Sequence, residues 1–93
     1  TSTALIYYCR KRDYRGIKLC LSIGADPNVA DSEGLFATDI LLIGKVDETI
    51  VKKVLKKFLI VTDSLKIHRN VRERYFELYT GLTKFVDNLE MID

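Results

Sequence analysis

Two cysteines and one histidine are the side chains with the most obvious chemical potential in this 93-residue chain. Cys9 and Cys20 fall on the apolar faces of predicted helices, where a thiol usually packs as a small hydrophobic group. His68 lies in a polar stretch and is expected at the surface or at the start of a helix. A zinc site needs more ligands than these, and covalent catalysis needs a nucleophile beside its base. We therefore predict no metal, no cofactor and no enzymatic activity.

Basic residues form the second group of chemical interest. The densest basic patch comes early in the chain and comprises Arg10, Lys11, Arg12 and Arg15. A solvated turn is its simplest interpretation, and contact with an acidic partner or anionic lipid head groups is the alternative. The net charge of +2 is small, so nucleic acid is not a favoured partner. A second group is expected to form an exposed helix face and comprises Lys52, Lys53, Lys56 and Lys57.

The composition is that of one small folded domain. Hydrophobic residues make up 47% and charged residues 30%, which excludes a disordered chain. Two cysteines are too few for a disulfide-dense secreted scaffold. No apolar run approaches the ~20 residues that cross a bilayer, and no signal peptide is visible. We therefore predict an intracellular protein, cytoplasmic or nuclear, without a transmembrane segment.

The apolar spacing predicts helices as the elements that position these residues. Four helices are expected, over about residues 4–11, 15–23, 37–43 and 47–62. Gly24 is suited to the left-handed position that ends a helix, and Pro27 fits a turn. Asp47 is a plausible N-cap for the fourth helix. Beyond residue 62 the apolar spacing continues as helix, and no convincing strand pattern is present.

The helices recur with a regular period. An offset of 33 residues places Thr3–Tyr7 on Phe36–Ile40, and an offset of 34 aligns the second helices. The first pair is followed by a long turn signature, which comprises Gly24, Ala25, Asp26, Pro27, Asn28, Asp31 and Gly34. This period and this G-A-D-P-N…D-x-x-G sequence resemble the ankyrin repeat over about residues 1–60.

The resemblance implies an all-α fold in which ankyrin-type helix-turn-helix repeats stack as a short solenoid. Residues 1–33 and 34–62 would be the two repeats, and residues 63–93 a C-terminal helical cap or extension. The second repeat is degenerate, because Phe36 stands where a threonine usually caps the first helix. Terminal repeats are commonly atypical, since their outer face has no neighbour.

The resemblance also implies a protein–protein interaction module, the C-terminal end of an ankyrin array in a larger scaffold, adaptor or regulatory protein. Phe76 is included among the candidate contacts because it lies off the main apolar face. The candidate partner-binding residues are Ile6, Tyr7, Arg10, Lys11, Arg12, Arg15, Ser32, Glu33, Asp39 and Phe76. Two alternatives remain at this point. One is a regulatory domain whose basic patch contacts anionic lipid or nucleic acid, and the other is a structural subunit that docks through its C-terminal helices.

Overall fold

The computed structural model describes residues 2–93 and is mostly helical, as the sequence predicts. Five α-helices, two short strands and two 3₁₀ helices, here η1 and η2, follow one another along the chain. Their bounds are α1 Ser2–Lys11, α2 Tyr14–Ser22, α3 Ala37–Leu42, α4 Glu48–Val61, β1 Leu65–His68, α5 Arg69–Tyr75, η1 Phe76–Leu78, η2 Thr80–Asn88 and β2 Leu89–Ile92. Within residues 2–93, none of the helices combines the length and the apolar character that crossing a bilayer requires.

The helix ends follow the local signals in the sequence. Asp47 is the N-cap of α4, and its carboxylate accepts a hydrogen bond from the N–H of Ile50 at 3.2 Å. Gly24 has a φ of +96°, the left-handed conformation expected after α2. The N–H of Ala25 then bonds to the carbonyl of Cys20 at 3.0 Å, which completes a Schellman motif. Both predicted helix boundaries are confirmed.

The helices lie in two rows. In the first row α1 contacts α3, and α3 contacts α5; in the second α2 contacts α4, and α4 contacts η2. The rows enclose one hydrophobic core, because each helix turns its apolar face inward. Among the fully buried side chains are Cys9, Ile17, Leu41, Val54 and Phe58. The apolar faces predicted for the first, second and fourth helices are therefore confirmed, whereas every residue of α3 is buried.

The C-terminal third differs from its prediction. The sequence predicts only helices beyond residue 62, but β1 and β2 pair as parallel strands, with Leu65 opposite Leu89 and His68 opposite Ile92. Each strand has four residues, too few to give a clear alternating pattern. The end of the chain is therefore a mixed segment, in which a two-stranded sheet and 3₁₀ turns accompany one α-helix.

Polar side chains from the first half of the chain cover the second edge of β1. The amide of Asn28 accepts the N–H of Lys66 at 2.9 Å and donates to the carbonyl of Ser64 at 2.9 Å. The carboxylate of Asp39 accepts the N–H of His68, also at 2.9 Å. Because these N–H groups point away from β2, the two side chains take the place of a neighbouring strand. They join the turn after α2 and the start of α3 to the C-terminal segment.

Candidate interaction surface

An open cleft separates α1 from the loop that follows the first helix pair. Its volume is about 430 Å³, and its lining includes Ile6, Tyr7, Arg10, Val29 and Ser32. We use "α1 surface" for Tyr7, Arg10, Lys11 and the loop 29–33. Ile6 is buried, whereas Tyr7 and Arg10, which line the same cleft, are exposed. The structure therefore brings together predicted residues from two separate segments.

Tyr7 is the largest exposed side chain of the α1 surface, with 54% of its area accessible. Its ring packs edge-on against Tyr8, with the centroids 5.3 Å apart and the planes at 75°. The ammonium nitrogen of Lys11 lies 5.7 Å from the centroid of the Tyr7 ring, within cation–π range. These contacts orient the ring, so that an aromatic face and a positive charge are presented side by side.

The loop beside Tyr7 is closed by the side chain of Asp31. Its Oδ1 accepts the N–H groups of Glu33 at 2.9 Å and Leu35 at 2.8 Å. The backbone N–H of Gly34 bonds to the carbonyl of Asp31, and Gly34 has a φ of +82°. Ser32 and Glu33 remain exposed at the tip of this loop. The predicted D-x-x-G turn is confirmed, and its internal bonds hold the tip in one shape.

An ion pair fixes the loop to α1. The guanidinium of Arg10 donates to Oδ2 of Asp31, whose side chain is only 8% exposed. Burial works to raise the pKa of Asp31, but the N–H donors of Leu35 and Glu33 and the charge of Arg10 outweigh it and lower that pKa. The pair therefore fixes the loop to α1, and Asp31 compensates part of the positive charge of Arg10.

Arg12 has a structural role that the sequence analysis did not identify. Its φ is +54°, and its guanidinium donates to the carbonyls of Cys9, Arg10, Ile40, Ile43 and Lys45 at 2.9–3.4 Å. These acceptors lie at the ends of α1 and α3, whose last carbonyls have no helical partner. The prediction that Arg12 contacts a partner is corrected: its donors are occupied by the backbone. Within the described part of the basic patch, Lys11 and Arg15 make no ion pair.

Two further candidates are buried. The side chain of Phe76 is fully covered in the core, which corrects the prediction that it is available to a partner. Asp39 is also covered, and its Oδ2 accepts the N–H of Phe36 at 3.0 Å while its Oδ1 accepts that of His68. Burial raises the pKa of Asp39, and these donors partly oppose the effect. Asp39 therefore joins the residue before α3 to the end of β1 rather than facing a partner.

The cysteines and the histidine have structural surroundings: Cys9 and Cys20 are buried, and His68 contacts a backbone carbonyl. Cys9 and Cys20 are buried and unpaired, and burial raises the pKa of the Cys9 thiol to about 12. A thiol that stays protonated is a poor nucleophile. His68 precedes α5, as predicted, and its Nε2 lies 2.6 Å from the carbonyl oxygen of Gly34. Across residues 2–93, no three histidine, cysteine or acidic side chains lie close enough together to hold a metal ion.

Val29 lines the cleft and is 41% exposed, although it is not among the predicted contact residues. A single apolar residue in a turn produces no periodic pattern in the sequence. The place of Val29 in the cleft is therefore visible only in the structure.

No family model matches the sequence, and no solved structure gives a significant match. The chain is similar to the zinc finger CCCH domain-containing protein 56 of Arabidopsis thaliana, with 38% identity over 52 residues. This match covers 53% of the chain and 7% of that protein. A site of three cysteines and one histidine cannot form from the two cysteines of this chain. The similarity therefore does not indicate a CCCH zinc finger in this chain.

Proposed function

We propose that this chain is a non-catalytic protein-interaction module of the ankyrin type, and that it binds a partner protein through the α1 surface. The observation that carries the proposal is the cleft between α1 and the loop 29–33. It combines an exposed aromatic ring at Tyr7 with an exposed apolar side chain at Val29. Positive charge at Lys11 and polar groups at the loop tip surround it, a mixture typical of protein interfaces.

The arrangement of the helices supports the ankyrin-type part of the proposal. Helices α1 and α3 contact each other in one row, and α2 and α4 in the other, as the 33- and 34-residue offsets predict. The turn residues Gly24 and Gly34 have the positive φ values that such turns need. In this proposal, α5 and η2 extend the two rows as an irregular final unit. The module would close the C-terminal end of an array within a larger scaffold or adaptor protein.

The cleft would bind with little loss of conformational freedom. Tyr7 stands on a helix and packs against Tyr8, while Asp31 fixes the loop through two N–H bonds and its pair with Arg10. Side chains that are ordered before binding cost less entropy when the partner arrives. Tyrosine and arginine are also the residues that most often dominate interface energies. A partner segment with an apolar side chain beside an acidic one fits this surface best.

Contact with anionic lipid or nucleic acid has less support. That alternative depends on a cluster of free basic side chains at the start of the chain. Arg10 pairs with Asp31, and Arg12 donates to five backbone carbonyls. Two of the four basic residues are therefore engaged within the chain, which weakens the field that a polyanion would sense.

Selection of peptides from a random library against the folded chain tests the proposal. The selected peptides are titrated into the wild type and into the Tyr7→Ala and Lys11→Ala variants. We expect Tyr7→Ala to weaken binding about tenfold or more, because it removes the central aromatic contact. Ile60→Ala is the matched control, since Ile60 is an exposed apolar residue of α4 with 74% of its area accessible.

Circular dichroism establishes that each variant is folded. Peptides that bind both α1 variants as tightly as the wild type would place the interaction elsewhere. A folded chain against which no peptide can be selected would contradict the interaction function itself.

A further inference from the structure

The outer faces of α2 and α4 meet along a line of lysine side chains. These two helices contact each other in the second row. The ammonium nitrogens of Lys18 in α2 and Lys53 in α4 lie 4.8 and 5.7 Å from the centroid of the same ring, that of Tyr14. One turn after Lys53, Lys57 lines a cleft together with Lys18. These contacts place three lysines from two helices on one surface.

Exposed aliphatic side chains lie beside these lysines. The cleft has a volume of about 230 Å³, and its lining comprises Lys18, Leu21, Ser22, Lys57, Ile60 and Val61. Ile60 is 74% exposed and Val61 is 50% exposed, so the last turn of α4 presents apolar area to water. Leu19 and Ile23, at the end of α2, are exposed as well. We use "α2–α4 surface" for Lys18, Lys53, Lys57, Ile60 and Val61.

No acidic side chain offsets the lysines in the lining of this cleft. The lining contains two lysines and neither aspartate nor glutamate. Helix α2 has no acidic residue, and Glu48 of α4 lies in the first turn, at the other end of that helix from Ile60. Asp26 and Asp63 follow the two helices in sequence, but neither lines the cleft. None of the ion pairs within residues 2–93 includes a lysine.

We propose that the α2–α4 surface is a docking site for an anionic membrane, in which the lysines contact acidic lipid head groups while Ile60 and Val61 enter the head-group layer. Proteins that lie on a bilayer bind through buried apolar area together with electrostatic attraction to anionic lipids. Each lysine held close to such a membrane increases binding about fivefold. A contact of this kind is peripheral and needs no membrane-spanning helix.

The composition of the surface favours a membrane over a protein partner. The cores of protein interfaces are enriched in aromatic residues and arginine and depleted in lysine. The α1 surface has that character at Tyr7 and Arg10, whereas the α2–α4 surface combines lysine with branched aliphatic residues. The docking site is separate from the α1 surface. It does not include Arg10 or Arg12, which are engaged within the chain.

Sedimentation of the chain with vesicles tests the site. At low ionic strength we expect binding to vesicles of phosphatidylserine and phosphatidylcholine in equal parts, and no binding to phosphatidylcholine alone. Lys18→Gln and Lys57→Gln should each weaken binding about fivefold. Lys45→Gln is the control of equal charge, because Lys45 is exposed in the loop before α4, outside the cleft. It should weaken binding less than about twofold.

A second pair of variants tests the aliphatic side chains. Ile60→Ser should weaken vesicle binding about tenfold, because it removes apolar area that the head-group layer covers. Leu78→Ser is the matched control and should bind as the wild type does, since Leu78 is 69% exposed in η1 and does not line the cleft. All four substituted positions outside α2 and the lysine at position 18 make no ion pair, and circular dichroism establishes that each variant is folded.

Three outcomes would overturn the proposal. The first is no binding to the anionic vesicles, or equal binding to vesicles with and without phosphatidylserine. The second is an equal loss in Lys45→Gln and Lys57→Gln, or in Leu78→Ser and Ile60→Ser, which indicates that net charge or another surface is responsible. The third is a chain that does not bind vesicles but binds a library-selected peptide through Lys57 and Ile60. That result would identify the α2–α4 surface as a second protein interface.

Discussion

Asn28 binds the backbone of Lys66 as a neighbouring strand would. Its Oδ1 accepts the Lys66 N–H at 2.9 Å, and its Nδ2 donates to the carbonyl of Ser64 at the same distance. The sequence pattern predicts only a turn position for Asn28. The structure adds a second role, because this one side chain connects the turn after α2 with the strand β1. The cleft of the α1 surface begins at the next residue, Val29.

Replacement of Asn28 tests this connection. Asn28→Ala leaves the N–H of Lys66 without its protein partner and the carbonyl of Ser64 with only the hydroxyl of Thr62, which should lower the free energy of unfolding by about 1–3 kcal/mol. Urea denaturation measures this change. Asn28→Asp keeps the acceptor for Lys66 but loses the donor to Ser64, so it should also destabilise. Asn70→Ala, at an exposed position of α5, is the control and should change stability by less than about 0.5 kcal/mol. Equal stability of wild type and Asn28→Ala would contradict the connection.

Arg12 should matter for stability rather than for binding. Its planar guanidinium reaches carbonyls at the ends of both α1 and α3, and a lysine ammonium cannot reproduce that fork. We expect Arg12→Ala to lower the free energy of unfolding by about 1–3 kcal/mol, and Arg12→Lys to recover only part of the loss.

Lys11→Ala is the control for Arg12, because Lys11 is exposed at the neighbouring position. Chemical denaturation of all three variants measures the differences. If Arg12→Ala were as stable as Lys11→Ala, the hydrogen bonds of Arg12 would make no net contribution.

The loss of stability on substitution of Gly24 should depend only on how readily the new residue adopts a positive φ. Its φ is +96°, yet a Cβ built there meets no atom within 4 Å. Gly24→Val should therefore destabilise by about 1–2 kcal/mol through backbone strain and not through a clash. Gly24→Asn should cost less, because asparagine enters the left-handed region more readily. Thermal unfolding of the two variants measures the order, and a valine variant as stable as the asparagine variant would contradict this explanation.

The hydrogen bonds that Asp31 accepts from the N–H groups of Leu35 and Glu33, together with its pair with Arg10, predict a dependence of stability on pH. The folded-state pKa of Asp31 is lower than its ordinary value of 3.8, so the ionised carboxylate favours the folded state. Its contribution to stability is complete above that ordinary value and is lost as the pH falls through the lower folded value.

Asp31→Asn should remove this component. The unfolding free energy of the variant should be lower at neutral pH and should change less with pH across the acid window. Urea denaturation at a series of pH values measures the slope, and Asp87→Asn, at an exposed residue of η2, is the control. A slope unchanged by Asp31→Asn would exclude Asp31 as its source.

The predictable part of the fold rests on local signals. The starts and ends of the first four helices follow from apolar spacing, from the cap at Asp47 and from the glycine at position 24. The burial of Cys9 and Cys20 follows from the same spacing. Each of these features depends on atoms within about two turns of helix, so a short window of sequence contains what determines it.

Which distant segments contact each other is visible only in the tertiary structure. The pairing of β1 with β2 and the burial of Phe76 depend on contacts between elements far apart in the chain. Strands of four residues and single polar side chains have too little local conformational preference to predict which distant segments they contact. Local sequence signals were sufficient to predict the first four helices and the turns between them. The α1 surface exists only because packing of the hydrophobic core brings α1 and the loop 29–33 together.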